Sequence, residues 1–288
     1  MFKKTAILIL ISLVTLTAFA QDIDSLTFAK TNWVKTRVAR QVKLFNYHFN
    51  RKNLFAANEH ISFLEVKNSG RKAVFAVDAE AEKLVATSEF GKRNAAIAAV
   101  NGNFFDVKNG GSVDYVRMDG KMVNVKRLDK NDNRAFHQRA AVVIENGKIE
   151  ILKWDGTPDW EQRLIQKNVL LNGPLLKFKG ADEQLDTTAF NRLRHPRTCL
   201  GIKPNGRVIL LTVDGRNDNS AGMNLFELTK IMRWLGCTDA INFDGGGSTT
   251  LWVNGFPHDG VVNFPTDNKK WDHEGQRKVA NVILVKKK

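Results

Sequence analysis

The chain has 288 residues, 43% of them hydrophobic and 26% charged, which supports a sizeable buried core and excludes a disordered or low-complexity protein. Two Cys and 6 Pro exclude a disulfide scaffold and a collagen. The formal charge of +14 attracts polyanions in general, but the basic residues are scattered and accompany no helix-turn-helix or finger spacing, so nucleic acid is not an expected partner.

At the start, Lys3 and Lys4 precede an apolar run from Ala6 to Leu16, and Ala18-Phe19-Ala20 closes it with small residues. That pattern predicts a signal peptide over residues 1–20, cut before Gln21, and a periplasmic or secreted mature protein. The run is shorter than the roughly 20 apolar residues a membrane helix needs, so no stable span is expected after cleavage.

Beyond it, short apolar runs bounded by turn residues predict strands. In order they are Val34 to Phe45, Ile61 to Val66, Ala73 to Val77, Ala96 to Val100, Val113 to Met118, Ala140 to Ile144 and Lys148 to Leu152. Val169 to Leu171, Thr198 to Ile202, Val208 to Val213, Ala240 to Phe243, Thr249 to Val253 and Val279 to Val285 complete the series. Asn146-Gly147, Asn205-Gly206 and Asn254-Gly255 are type I′ hairpin signals. A helix is predicted from Leu225 to Leu235, where Leu225, Leu228, Met232 and Leu235 share one face; Asn224 and Glu227 form a capping box and Gly236 is the stop. A weaker helix falls near Thr157 to Gln166. No Gly- or Pro-rich linker divides residues 21–288, so the expectation is one α+β domain with a strand-rich, largely antiparallel or mixed sheet core and a few flanking helices.

Chemistry-bearing residues concentrate between Arg194 and Trp252. Two strands each end in Asp-Gly, at Asp214-Gly215-Arg216 and at Asp244-Gly245-Gly246-Gly247-Ser248. Carboxylates at strand ends beside loops are common catalytic positions. The glycine run, followed by Ser248, Thr249 and Thr250, reads either as an anion-binding bend or as a plain hairpin turn. It matches no dinucleotide fingerprint and no P-loop. Arg197 and Arg216 are candidates to grip a phosphate, or members of surface ion pairs. His195 reads as a positioning hydrogen-bonder ahead of a general acid. Upstream, Asn101 ends a strand where an amide can bind sugar hydroxyls, and Phe104 or Phe105 can pack on a sugar face; the core-and-turn reading stands beside it. Asp214, Asp218 and Asp244 offer oxygen ligands to a hard cation such as calcium, and no zinc spacing is present. Cys199 and Cys237 sit in apolar stretches, as two core thiols or as one disulfide.

Taken together, AVNGNFF, HPRTCLGI, TVDGR, SAGMNLFEL, DAINFDGGGSTTLWV and the closing VANVILV resemble the phosphodiester glycosidase family, over about Val74 to Val285. Asn103 departs from a glycine frequent in that pattern, and Cys199 and Cys237 stand where small residues are usual; no Asp or Arg of the motifs is missing. The resemblance implies an α+β fold over 21–288 and a hydrolase that cuts the anomeric C–O bond of a sugar-1-phosphodiester of GlcNAc-phosphate type, with no cofactor required. It implies a phosphorylated glycan or sugar phosphodiester as partner. Arg197, Arg216 and Gly245-Gly246-Gly247-Ser248-Thr249 would then hold the phosphate, with His195 beside them and Asn101 on the sugar. Asp244 or Asp214 would activate water or stabilise the oxocarbenium side. The alternative is a non-catalytic glycan-binding or exopolysaccharide-assembly protein of the envelope.

Overall fold

Most of these apolar runs are too short to close several helical turns and are rich in β-branched residues, which favours pleated strands. The computed structural model describes residues 22–128 and 131–288, so the predicted signal peptide lies outside the described residues. Every ladder between the described strands is antiparallel. An eight-stranded sheet runs in the order Val34–Ala39, Val42–Leu54, Ala57–Lys67, Arg207–Val213, Arg197–Ile202, Asp239–Asn242, Leu175–Phe178, Ala181–Asp182. A five-stranded sheet centred on Ala140–Glu145 and Asn168–Asn172, and a four-stranded sheet centred on Ala98–Asn101 and Asn281–Lys287, complete one α+β domain.

Alternation along the central strands fixes the layers. Leu200, Leu210 and Ile241 point into the main core shared with the two smaller sheets. Their neighbours Cys199, Leu211 and Ala240 point the other way, onto Leu225, Leu228 and Met232. A strand covered on both faces reads as a continuous apolar run, as Val208 to Val213 does.

The covering helix is Leu225–Trp234. The Asn224 side chain accepts from the Glu227 N–H at 2.8 Å, and the Glu227 carboxylate accepts from the Asn224 N–H at 3.1 Å, so both orphan donors are satisfied. Gly236 follows with φ +80°, the left-handed conformation that stops a helix. Among the described residues no helix is long and apolar enough to cross a membrane.

Several local expectations are corrected. The run predicted as one strand from Val34 to Phe45 is the start of a hairpin, turned at Gln41, which has φ +69°. The helix predicted near Thr157 to Gln166 contracts to Trp160–Arg163. Asn146 and Gly147 both have positive φ, as a type I′ turn requires, whereas at Asn205-Gly206 and Asn254-Gly255 only the glycine does. Helices Ile23–Ala29 and Thr87–Arg93 carried no marked periodicity in the sequence. Cys199 and Cys237 are free thiols, both buried, and burial pushes Cys237 up to about 12 and Cys199 well above its ordinary value.

Candidate active site

Antiparallel pairing assembles the site. The Arg197–Ile202 strand lies between the two strands that end in Asp-Gly, so its beginning meets both of their ends: Arg197 pairs with Val213, and the Phe243 N–H donates to the Thr198 carbonyl at 2.8 Å. Asp214, Arg197 and Asp244 are thereby brought to one end of the sheet. At that end a cavity of about 220 Å³ is lined by His195, Arg197, Arg216, Asp244 and Gly245, Gly246 and Gly247, together with Phe190 and Arg277.

Arg197 is almost fully buried. Its Nε donates to the Met223 carbonyl at 2.8 Å and its Nη2 to the Phe190 and Leu193 carbonyls at 2.6 and 3.0 Å, with the guanidinium carbon 4.8 Å from the Phe190 ring centroid. Burial first, then the Arg216 charge, lowers its pKa to about 10, so it remains charged at neutral pH. Arg216 is exposed and held at φ +62°, a strained left-handed conformation for a non-glycine residue and one that clusters at functional sites. Its Nη2 lies 3.3 Å from His195 Nδ1. A guanidinium only donates, so His195 Nδ1 is the acceptor and the neutral ring carries its proton on Nε2. Burial, then Arg197 and Arg216, lower the His195 pKa and keep it neutral.

Asp244 keeps a solvent-facing edge at the cavity wall, yet protein crowds its other sides, and this desolvation raises its carboxyl to about 6. The Ser248 hydroxyl, the Gly245 N–H at 2.9 Å and the Arg277 charge pull it down, while Asp114 pushes it up. The N–H groups of Gly245, Gly246 and Ser248 are spent on Asp244, Pro196 and Gly245, so most of the bend's donors face inward. What the glycines permit is close approach. Gly246 has φ +62°, and a Cβ on Gly247 would stand 2.5 Å from Asp267 Oδ1 and 2.8 Å from Arg277 Nη2.

Four predicted residues lie behind the cavity. Asp214 is buried and both its oxygens are engaged: Oδ2 with His60 Nδ1 at 2.7 Å, and Oδ1 as acceptor from Asn263 Nδ2 at 2.8 Å and the Phe264 N–H at 2.9 Å. Asn101 is buried beneath Asp244, donating to its carbonyl at 2.7 Å and accepting from Thr198 Oγ1 and the Thr250 N–H. Ser248 and Thr249 are buried too. Asp214, Asp218 and Asp244 do not gather, and among the described residues no three His, Cys, Asp or Glu side chains form a metal-binding group.

Sequence reasoning missed Arg277, Phe190 and a pair beside the cavity, Asp114 and His137. His137 Nε2 lies 3.0 Å from Asp114 Oδ1 and lines an adjoining cavity of about 230 Å³ with Phe104, Pro174 and Phe190. Arg277 follows no motif; the one signal for the pair was an Asp and a His flanking apolar strands.

Comparisons with known proteins identify the family. The family model described as phosphodiester glycosidase matches residues 94–286. The chain is 29% identical over 199 residues to N-acetylglucosamine-1-phosphodiester alpha-N-acetylglucosaminidase of Mus musculus, covering 65% of this chain and 37% of the relative. The Homo sapiens protein of that name is 31% identical over 205 residues, with the same shares covered. The chain thus spans little more than a third of the length of these curated relatives. A solved structure of the zebrafish enzyme's catalytic domain, auto-inhibited by pro-peptide, shares the fold with a TM-score of 0.63 at 21% identity, covering 86% of this chain and 83% of that one. A hypothetical protein from Synechocystis aligns with a TM-score of 0.65 at 14% identity, covering 88% and 64%. With the family model matching most of its length, this chain belongs to the phosphodiester glycosidase family.

Proposed function

We propose that this chain is an exported hydrolase that cleaves the anomeric C–O bond of a sugar-1-phosphodiester of the GlcNAc-phosphate type. The observation that carries the reading is the convergence of Arg197, Arg216 and Arg277 on one cavity whose single lining carboxyl among the described residues, Asp244, is raised to about 6. Guanidinium groups donate to phosphate oxygens: three backbone carbonyls take Nε and Nη2 of Arg197, which fixes it before any ligand arrives and leaves Nη1 to donate, and Asp267 braces Arg277. The names of the curated relatives support GlcNAc as the sugar. The leader-like residues 1–20 support export.

In this reading the phosphate lies against the guanidinium groups, and the sugar enters the adjoining cavity between Phe104, Phe190 and His137. Asp244 accepts a proton from water as the water oxygen bonds to the anomeric carbon. The C–O bond to phosphate breaks, and its electron pair leaves on the phosphomonoester oxygen. Positive charge on the sugar ring grows next to the ionised Asp244, and negative charge on the leaving group grows next to the arginines. A phosphomonoester departs without a strong general acid, so one carboxylate in the cavity suffices. Asp214 acts at a distance, by anchoring Asn263, whose amide also donates to the Thr249 carbonyl behind the glycine bend at 3.0 Å.

Incubation with a GlcNAc-1-phosphodiester in heavy-oxygen water tests the reaction. Label in the free sugar supports anomeric attack. Label in the phosphate assigns a phosphodiesterase, and binding without product assigns a glycan-binding protein.

A further inference from the structure

The two cavities of the site continue into a third. The sugar cavity shares Phe136 and Asp186 with a cavity of about 490 Å³ that Trp154, Arg139 and Gln184 also line. Sites that enclose a small molecule usually measure about 300–1,000 Å³, and neither inner cavity reaches that range alone. The outer cavity does, and it lies beyond the place where one sugar ring would sit.

The groove leaves the site past Phe190, which lines the first two cavities and lies on Arg197, with Phe104 and His137 on its carboxylate side. The Asp244 N–H donates to the Gly102 carbonyl at 3.1 Å, and Phe104, two residues further on, walls the second cavity. Asp114, whose charge reaches Asp244, holds His137 on the same wall. With the sugar in the second cavity, as in the proposed reaction, a chain that runs on into the third extends from the sugar rather than from the far side of the phosphate.

The lining of the outer cavity names the chemistry. Its charges balance: Lys153 pairs with Glu183 at 2.7 Å, and Arg139 stands against Asp186 in number. That disfavours a polyanion. Polar groups are too frequent for an acyl chain, while the rings of Phe136 and Trp154 flank the Arg139 guanidinium at 5.3 and 5.8 Å. Flat apolar faces alternating with amide, carboxylate and guanidinium groups suit the apolar faces and hydroxyl edges of uncharged sugar rings.

We infer that the groove from Phe104 to Trp154 binds an uncharged oligosaccharide that continues from the scissile sugar, so that the preferred substrate is an oligosaccharyl-1-phosphodiester rather than a single terminal sugar. This rests on the proposed reaction.

The test uses three substrates: a GlcNAc-1-phosphodiester, the same compound with a trisaccharide extending from the GlcNAc, and one with the trisaccharide on the phosphate side. The sugar-extended compound should show kcat/KM at least about tenfold above the other two, and Trp154→Ala should remove most of that ratio. Gln184→Ala, which alters only an exposed side chain, should reduce the ratio in a fold left intact. Equal kcat/KM for all three, a preference for the phosphate-side chain, or a ratio unmoved by both substitutions overturns the inference. If no substrate turns over, the reaction itself fails, and calorimetry with the trisaccharide 1-phosphate decides the groove: binding about tenfold weaker in Trp154→Ala supports it, and equal binding overturns it.

Discussion

Two strand tips carry the same dipeptide, Asp-Gly, flank the same strand, and end up with opposite surroundings. At Asp214 both carboxylate oxygens are engaged, by His60, Asn263 and Phe264, and the side chain is sealed. At Asp244 one oxygen takes the Gly245 N–H while the group keeps an edge on a cavity lined by arginines, and its pKa rises to about 6. A sealed carboxylate with both oxygens hydrogen-bonded has structural work to do. A crowded one with an open edge is poised to exchange a proton near neutral pH. The lesson is that local sequence places a carboxylate at a sheet end, and the segments folded over it decide whether it is a tether or a reagent.

The largest test of this contrast is Asp244→Asn, expected to cut kcat by a factor of about 10² or more with an unchanged melting temperature. In the unsubstituted protein, a base in the proposed reaction works only when ionised, so kcat/KM should rise with pH through about 6 and level off above it. A profile that falls through that pH would make Asp244 an acid instead. Asp214→Asn should do the reverse: the amide oxygen can still accept from both Asn263 and Phe264, but an NH2 group replaces the charged oxygen that meets His60 Nδ1, so stability should drop by about 1–3 kcal/mol while kcat of the folded protein falls far less than for Asp244→Asn. Loss of turnover at a normal melting temperature would transfer the chemical role to Asp214.

A finer test concerns the support beneath the Asp214 tip. Glu59 is buried under the loop that follows Asp214, accepts from Ser220 Oγ at 3.3 Å and the Gly222 N–H at 3.1 Å, and is raised by burial to about 9. Between its ordinary value of 4.5 and about 9, the folded protein holds a proton that the unfolded chain has released, so this group makes stability fall as pH rises through that window. Glu59→Gln should flatten that fall in melts taken from pH 5 to pH 8; an unchanged slope would mean that Glu59 ionises in the fold. Smallest is Asn224→Ala, which removes a helix cap on the far side of the sheet and should cost about 1 kcal/mol in urea unfolding without moving the kcat/KM pH profile.

Strand runs, the capping box at Asn224 and Glu227, and the turn at Asn146-Gly147 were legible because each depends on neighbours a few residues away. The order of the motifs sufficed for the family. The hairpin signal at Asn205-Gly206 likewise sets Arg197 opposite Val213, next to Asp214, whereas the pairing with Asp239–Asn242, reached through the covering helix, carried no such signal. Not legible were the residues that close the cavity from afar. Phe190 reaches it from a turn tied down by Arg197, and Arg277 from a segment pressed onto Gly247. Asn101 looked free to meet a sugar, yet the Asp244 carbonyl, Thr198 and Thr250 consume its amide. Chain-local physics, meaning side-chain periodicity, caps and turn dihedrals, determined the elements and which carboxylates end strands. Only the folded molecule decided which carboxylate keeps an open edge, because desolvation and hydrogen-bond satisfaction depend on partners from 49 to 154 positions away in the chain.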